Sequence, residues 1–242
     1  MSPLALLYLL VFLFWVPSLA VRSGRALKQT AGQGGVGSAG RALPAKTRIL
    51  LQTGIMLVVL GIFSIWVARQ FAIPLFPPLE WRASAAGASV AVLLVMLGTI
   101  PLRWRSAPAD VKRRMMLTRP QSPRDLGPWI VLSLIAGLSE EITYRGVLFA
   151  VLGFLSGSGW VAAAVSAVAF AVAHATQGWR AALVILAFAL AAQGIVWLGG
   201  SLYYAMLLHF LYDVLAGCVY LRLGRDVVSA GTKPTAAAAP PN

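Results

Sequence analysis

The sequence contains about seven apolar runs whose length suits a membrane crossing. A helix needs roughly 20 apolar residues to cross about 30 Å of hydrocarbon, and at this length helices are favoured over barrel strands because each helix satisfies its own backbone hydrogen bonds. The runs are Pro3–Ala20, Ile49–Ala72, Ala83–Leu102, Pro128–Leu152, Trp160–Ala175, Ala181–Leu198 and Ser201–Leu221. The last four have short connections, so the sequence predicts an all-α, polytopic transmembrane bundle with a four-helix core in the C-terminal half.

The composition agrees with a membrane protein and excludes several other classes. Of the 242 residues, 59% are hydrophobic and 11% are charged, whereas an ordinary soluble domain carries about 25% charged residues. The single cysteine cannot form an internal disulfide. A disordered chain, a disulfide scaffold and most soluble enzymes are therefore excluded.

The basic residues lie mainly between the apolar runs. The chain has 20 Lys and Arg against 7 Asp and Glu. Most of the Lys and Arg residues fall in segments 22–48 and 103–124 or follow residue 221. This pattern indicates that the basic residues lie in cytosolic loops and contact lipid headgroups, and it predicts no nucleic-acid partner. The first run has basic residues after it and none before it, the opposite of a cleaved signal peptide. We therefore expect a multi-pass plasma-membrane protein with its N-terminus outside and its C-terminus in the cytosol, and the composition suggests a bacterial source.

The chain divides into four predicted segments. Residues 1–48 form a membrane anchor with a basic, Gly-rich linker, and residues 49–125 form two transmembrane helices and a basic loop. Residues 126–225 form the core, and the Ala/Pro-rich residues 226–242 form a disordered tail. The linker contains a G-x-G-x-x-G pattern, but no strand precedes it, so it predicts a flexible connection rather than a dinucleotide site.

Six ionisable groups lie well within the predicted spans, and they include both histidines of the chain. Such groups cost several kcal/mol in hydrocarbon unless they are paired or hydrated, so a functional site is the default hypothesis. Helical spacing of four residues relates Glu140 to Tyr144, Glu141 to Arg145, Phe170 to His174, and His209 to Asp213. The six groups are Glu140, Glu141, Arg145, His174, His209 and Asp213.

This set of residues suits water attack on an amide. A carboxylate beside a histidine can deprotonate a water molecule, and a histidine on another helix can donate to the developing oxyanion. These residues identify no specific cofactor, and a divalent metal such as zinc is an alternative, because Glu140, His174 and His209 are of the types that bind zinc. The H-E-x-x-H pattern of many zinc proteases is absent.

Three motifs resemble those of one family. The chain reads EEITYR at 140–145, FAVAH at 170–174 and HFLYD at 209–213. These resemble the E-E-x-x-x-R, F-x-x-x-H and H-x-x-x-N/D motifs of the CAAX prenyl protease and bacteriocin-processing (CPBP/Abi) family, which are intramembrane endopeptidases. The resemblance covers roughly residues 126–223.

The resemblance implies a role for each motif residue. Glu140 would activate water with help from His174, and His209 with residue 213 would stabilise the oxyanion. Supporting roles that orient the motif or contact the substrate fall to Glu141, Tyr144, Arg145 and Phe170. Position 213 is Asp in this chain, whereas Asn is frequent there in the family. The amide of Asn can donate a hydrogen bond, but an ionised carboxylate cannot. Asp213 would therefore be protonated, orient His209 or bind a metal.

The leading hypothesis is thus an intramembrane endopeptidase that cleaves near the cytosolic face. Its substrate would be a protein or peptide, either a lipidated CAAX-box protein or a leader peptide, and its other partner is the bilayer. One alternative is a proton-coupled transporter that uses the same Glu, His and Asp side chains, although no inverted repeat is visible. The others are a haem protein with His174 and His209 as axial ligands, and a non-catalytic family member.

Overall fold

The structure, a computed structural model, describes residues 2–32 and 46–225. Side chains are described in these ranges except for residues 26–32, 46 and 176. Most of the predicted Gly-rich linker, and all of the predicted disordered tail, lie outside the described residues.

The described residues are helical and contain no strand. They form eight helices, of which the first and the fifth each contain a π-helical stretch. The helices are α1 (Pro3–Leu10, π-helical Val11–Trp15 and Val16–Gly32), α2 (Lys46–Gln70), α3 (Ala83–Ser106), α4 (Ala109–Thr118), α5 (Leu126–Glu140, π-helical Glu141–Leu148 and Phe149–Ser156), α6 (Gly159–Ala173), α7 (Trp179–Gly199) and α8 (Tyr203–Leu223).

Among the described residues, six helices are long and apolar enough to cross a membrane. They correspond to α1, α2, α3, α5, α7 and α8, and the polytopic helical bundle predicted from the sequence is confirmed. The predicted span at Trp160–Ala175 corresponds to α6, which has only 15 residues and is shorter than the roughly 20 that a crossing needs. The helix ends there because His174 leaves α-helical geometry and a short 3₁₀ turn, Ala175–Gln177, follows.

The basic segments gather at one end of the bundle. Helix α4 contacts both the last part of α1 and the Ala175–Gln177 turn, and Met116 of α4 packs in one cluster with Trp104 and Tyr220. At the opposite end, the Tyr204 hydroxyl donates to the Glu80 carbonyl at 2.8 Å. This arrangement agrees with the sorting of basic residues to one side, while the orientation of that side toward the cytosol stays a prediction.

Helices α5 and α8 approach each other closely at a glycine. A Cβ atom at Gly137 would lie 3.1 Å from the Phe210 nitrogen and 3.2 Å from the Met206 oxygen, so a larger residue would require the two helices to move apart by a few tenths of an ångström. One helical turn or more away, the Trp129 indole donates to the Asp213 carbonyl at 2.8 Å. These contacts fix the register of α5 against α8 and so the relative positions of their polar side chains.

A buried hydroxyl cluster joins the first two helices to α5. Ser64 Oγ donates its one proton to the Leu60 carbonyl at 2.9 Å. The same oxygen therefore accepts from the Tyr8 hydroxyl at 2.8 Å and from Thr143 Oγ1 at 2.9 Å. Tyr8 also lies 3.3 Å from the Thr143 carbonyl. Since Tyr8 and Ser64 are fully buried and Thr143 lies in the π-helical stretch, α1 and α2 brace that stretch directly.

We predict that shortening Tyr8 destabilises the whole protein. Tyr8→Phe should lower the free energy of unfolding by about 1 kcal/mol, because it removes a buried hydrogen bond. Tyr8→Ala should lower it by about 3–5 kcal/mol, because it also leaves a cavity. Denaturant unfolding of the purified protein in detergent micelles measures both effects. The control Phe14→Ala alters an exposed ring of the same helix and should change little; a Tyr8→Ala protein as stable as the wild type would contradict the packing of α1.

Candidate active site

Three helices bring their polar side chains together around Glu140. This residue is the last of the regular α-helical part of α5, and its side chain is 14% exposed. Its Oε2 atom lies 3.6 Å from His209 Nε2 of α8 and 3.9 Å from His174 Nε2 at the end of α6. The three sequence motifs, which are far apart in the chain, therefore meet at one place.

The neighbouring carboxylate, Glu141, holds the other side of the same imidazole. Glu141 Oε1 lies 2.7 Å from His209 Nδ1 and 3.1 Å from Arg145 Nη1. Because a carboxylate paired with a guanidinium accepts hydrogen bonds only, Nδ1 of His209 is the donor. Glu141 and Arg145 are both buried and neither lines the cavity, so they lie behind His209 rather than on a substrate surface.

The π-helical stretch Glu141–Leu148 begins at the boundary between the two glutamates. A π-helical stretch inserts extra backbone into a helix and is frequent at functional sites. Here its carbonyl groups take partners from other helices, since the Ser166 hydroxyl donates to the Tyr144 carbonyl at 2.6 Å. In this geometry Glu140 and Glu141 reach the two nitrogen atoms of one ring. The sequence carries no local signal for this stretch.

His174 has a defined ring orientation. Its Nδ1 atom lies 2.8 Å from the Phe170 carbonyl, and a carbonyl only accepts, so Nδ1 carries the proton and Nε2 faces Glu140. The His174 ring also packs on the Phe170 ring, with centroids 4.5 Å apart. The four-residue spacing of this motif thus positions the histidine through both backbone and ring.

The aromatic residues of the motifs form the support beneath this site. The Arg145 guanidinium lies 4.3 Å from the centroid of the Phe170 ring, a cation–π contact. Tyr144 meets Phe170 edge to face, with centroids 5.1 Å apart, and both rings are buried. Tyr144 and Phe170 therefore hold the Arg145 and His174 side chains in place.

Asp213 completes the group around His209. Its Oδ2 atom lies 3.7 Å from His209 Nε2, so this nitrogen lies near two carboxylates, those of Glu140 and Asp213. The Asp213 side chain is partly exposed, and its backbone is fixed by Trp129.

One cavity of about 550 Å³ reaches these residues. Glu140, His174, His209 and Asp213 all line it, and most of its remaining wall is apolar. Part of that wall comes from α1 and α2, including Leu19 of α1. Sequence reasoning missed these two helices as parts of the site, because apolar residues that line a cavity look the same in a sequence as those that face lipid.

The donor set does not form a ready-made metal site. Within the part of the chain that the structure describes, no group of three or more His, Cys, Asp or Glu side chains is arranged to hold a metal ion. The zinc alternative stays a prediction, and no chemical step below is assigned to a metal.

We predict that the buried pair Glu141–Arg145 is required for stability. Arg145→Met should lower the free energy of unfolding by about 3 kcal/mol or more, because it leaves Glu141 buried without its cation. Arg82→Met serves as the matched control, since Arg82 pairs with Glu80 at 2.8 Å but both side chains are about half exposed or more; its effect should stay below about 1 kcal/mol. Unfolding in detergent micelles measures both, and equal effects would contradict a special role for the buried pair.

Comparison with known proteins finds a similar family for the part of the chain that contains the three motifs. Residues 122–215 match the family described as Type II CAAX prenyl endopeptidase Rce1-like. No curated protein and no solved structure matches the chain. The match covers under half of the chain but includes all three motifs. Residues 122–215 are thus similar to the Rce1-like type II CAAX prenyl endopeptidases, which confirms the family resemblance of the motifs.

Proposed function

We propose that the protein is an intramembrane endopeptidase that hydrolyses a peptide bond with water activated by Glu140. The observation that carries this proposal is the convergence of Glu140, His174, His209 and Asp213 at one cavity. The similarity to CAAX prenyl endopeptidases over residues 122–215 supports it independently. No observation favours the transporter alternative.

The spacing around Glu140 suits a water molecule that joins the three groups. The distances of 3.6 and 3.9 Å from Glu140 Oε2 to the two Nε2 atoms exceed a direct hydrogen bond and suit bridging by water. In the proposed reaction, Glu140 takes a proton from the water while the water oxygen attacks the peptide carbonyl carbon. Glu140 then gives that proton to the amide nitrogen, the C–N bond breaks, and a carboxylic acid and an amine leave.

We propose that His209 stabilises the oxyanion. Its Nδ1 proton is committed to Glu141, so a second proton on Nε2 would make the ring a donor toward the cavity. We propose that His209 acts in this doubly protonated form, and that the surrounding carboxylates balance its charge. The Glu141–Arg145 pair holds the ring at the orientation that the reaction requires.

Asp213 is assigned an orienting role. As an ionised carboxylate it cannot donate to an oxyanion, but its Oδ2 atom is 3.7 Å from His209 Nε2 and can stabilise a proton there. Of the roles that the sequence left open, orientation of His209 needs neither a metal nor a protonated Asp213.

The substrate we propose is a protein or peptide that reaches the cavity from the membrane surface. The apolar cavity wall suits apolar side chains or a lipid attached to the substrate. A lipidated CAAX-box protein or a leader peptide has this chemistry, and the site would act near the cytosolic face.

We predict that Glu140→Gln abolishes proteolysis. Loss of the base should lower kcat/KM by at least about 10³-fold, and His174→Ala should lower it by about 10²-fold or more. The assay uses the purified protein in proteoliposomes with quenched fluorescent peptides. The control Glu80→Gln changes an exposed glutamate at the far end of the bundle and should keep wild-type activity. A Glu140→Gln protein with full activity would refute the proposal.

We also predict that Asp213→Asn lowers kcat by about 10-fold with little change in KM. The amide keeps the shape of the side chain but removes the negative charge that stabilises the protonated His209. The same proteoliposome assay measures both parameters. An Asn variant as active as the wild type would contradict the orienting role, because it would show that the negative charge at position 213 is not required.

A further inference from the structure

Two side chains of α1, Tyr8 and Phe12, pack against the π-helical stretch of α5. Both are fully buried, whereas Phe14 of the same helix is 63% exposed. Residues four apart in a helix lie on one face, so Tyr8 and Phe12 present a single face of α1 to α5. Farther along the helix, Leu19 lines the cavity that holds Glu140.

Tyr8 reaches the stretch through the buried hydroxyl cluster. Its hydroxyl donates to Ser64 Oγ at 2.8 Å, and Thr143 Oγ1 donates to the same oxygen at 2.9 Å. The Tyr8 hydroxyl also lies 3.3 Å from the Thr143 carbonyl. Thr143 follows Glu140 and Glu141 by three and two residues, so the cluster fixes how the stretch is rotated where the two carboxylates diverge.

Phe12 begins a row of four rings that ends at His174. The Phe12 and Tyr144 centroids are 6.0 Å apart, edge to face, and those of Tyr144 and Phe170 are 5.1 Å apart. The row ends with Phe170 and His174 at 4.5 Å. These separations are those of rings in contact. Since the first three rings are buried in a close-packed interior, one ring cannot shift without moving the next.

Anchoring in the bilayer does not account for these contacts. Helix α1 lies outside residues 122–215, the part similar to the CAAX prenyl endopeptidases. Apolar side chains suffice for an anchor, and a hydroxyl within the membrane is unfavourable unless it is hydrogen-bonded. The Tyr8 hydroxyl makes its contacts with α2 and with the stretch that follows Glu140, which gives α1 a connection to the reacting groups.

We propose that Tyr8 and Phe12 are positioning residues for hydrolysis at Glu140, and this rests on the proposed endopeptidase function. Tyr8 acts on the glutamates through the hydroxyl cluster, and Phe12 acts on His174 through the row of rings. Neither residue lines the cavity, so both act through the residues between. Helix α1 is then part of the catalytic unit as well as a membrane span.

A purely structural role is the competing explanation for both residues. Such a role would lower the fraction of folded protein but would leave kcat per folded molecule and the surroundings of the two histidines unchanged. A positioning role lowers kcat of the folded molecules, because attack by water depends steeply on the placement of the reacting groups. It leaves KM nearly unchanged, since the cavity wall that contacts the substrate is kept.

The first arm of the test measures cleavage of quenched peptides by the full-length protein in proteoliposomes, with rates expressed per folded molecule. Tyr8→Phe and Thr143→Val should each lower kcat by about fivefold, the effect of one lost hydrogen bond. The double variant should lose little more, because both changes break the same cluster. Thr143→Ser keeps the hydroxyl and should keep most of the activity.

Matched controls separate position from general stability. Tyr204→Phe removes a hydroxyl that is also hydrogen-bonded, at 2.8 Å to the Glu80 carbonyl at the opposite end of the bundle, and should keep the wild-type kcat. Phe12→Leu should lower kcat by about fivefold, whereas Phe14→Leu, which changes an exposed ring, should not. Tyr8→Phe and Phe12→Leu proteins with the wild-type kcat would overturn the proposal.

The second arm reports the geometry of the site without catalysis. The chain contains only two histidines, and both lie at the site, so labelling with ¹⁵N-histidine marks His174 and His209 alone. Solid-state NMR of proteoliposomes records their ring nitrogens, and a His174→Gln sample assigns the signals. Tyr8→Phe should move the His209 signals, Phe12→Leu should move those of His174, and the two control variants should move neither.

The two arms distinguish failure of the inference from failure of the proposed function. Histidine signals that move as expected in a protein whose wild type cleaves no peptide would refute the endopeptidase function and retain the positioning by α1. A wild type that cleaves, with kcat and histidine signals that are the same in the Tyr8, Phe12 and control variants, would retain the endopeptidase function and overturn the positioning.

Discussion

The hydrogen bond between His209 and the buried Glu141 is the interaction on which the arrangement of the site depends. This bond, 2.7 Å long, fixes which nitrogen of the imidazole faces the cavity. It holds the ring so that Nε2 lies 3.6 Å from Glu140 Oε2. Charged groups within an apolar bundle are tolerated only when they are paired. Arg145 pairs with the Glu141 carboxylate. The Arg145 guanidinium also contacts the ring of Phe170, which lies on the helix that ends at His174.

The π-helical part of α5 is what lets two adjacent glutamates serve one histidine. It is held from outside by hydroxyl groups of other helices, through Ser166 at the Tyr144 carbonyl and through Tyr8 and Ser64 at Thr143. Helices α1 and α2 therefore support the π-helical stretch through these hydrogen bonds, in addition to lining the cavity. These hydroxyl groups add hydrogen bonds from other helices to the stretch, since the Tyr144 carbonyl also accepts from the Phe149 N–H within the helix.

Much of this arrangement could be predicted from the sequence, and the limits have physical causes. The four-residue spacings placed Glu141 with Arg145 and Phe170 with His174, because these contacts lie within one helix. The apolar runs gave the helical class, but α6 is shorter than expected, since its end depends on a turn that packs against other helices. The π-helical stretch depends on contacts with distant helices and has no local signal. Arg103 and Arg119 line the cavity, but in the sequence they were indistinguishable from the basic residues that mark cytosolic loops. The roles of the individual site residues stay proposals.

The most direct test of the account is an experimental structure of the full-length protein with a peptide phosphonate bound, since a phosphonate resembles the tetrahedral intermediate of amide hydrolysis. The account predicts that one phosphonate oxygen lies within hydrogen-bond distance of Glu140 and another within that distance of His209 Nε2. A phosphonate bound away from both residues, or His209 turned so that Nδ1 no longer contacts Glu141, would contradict it.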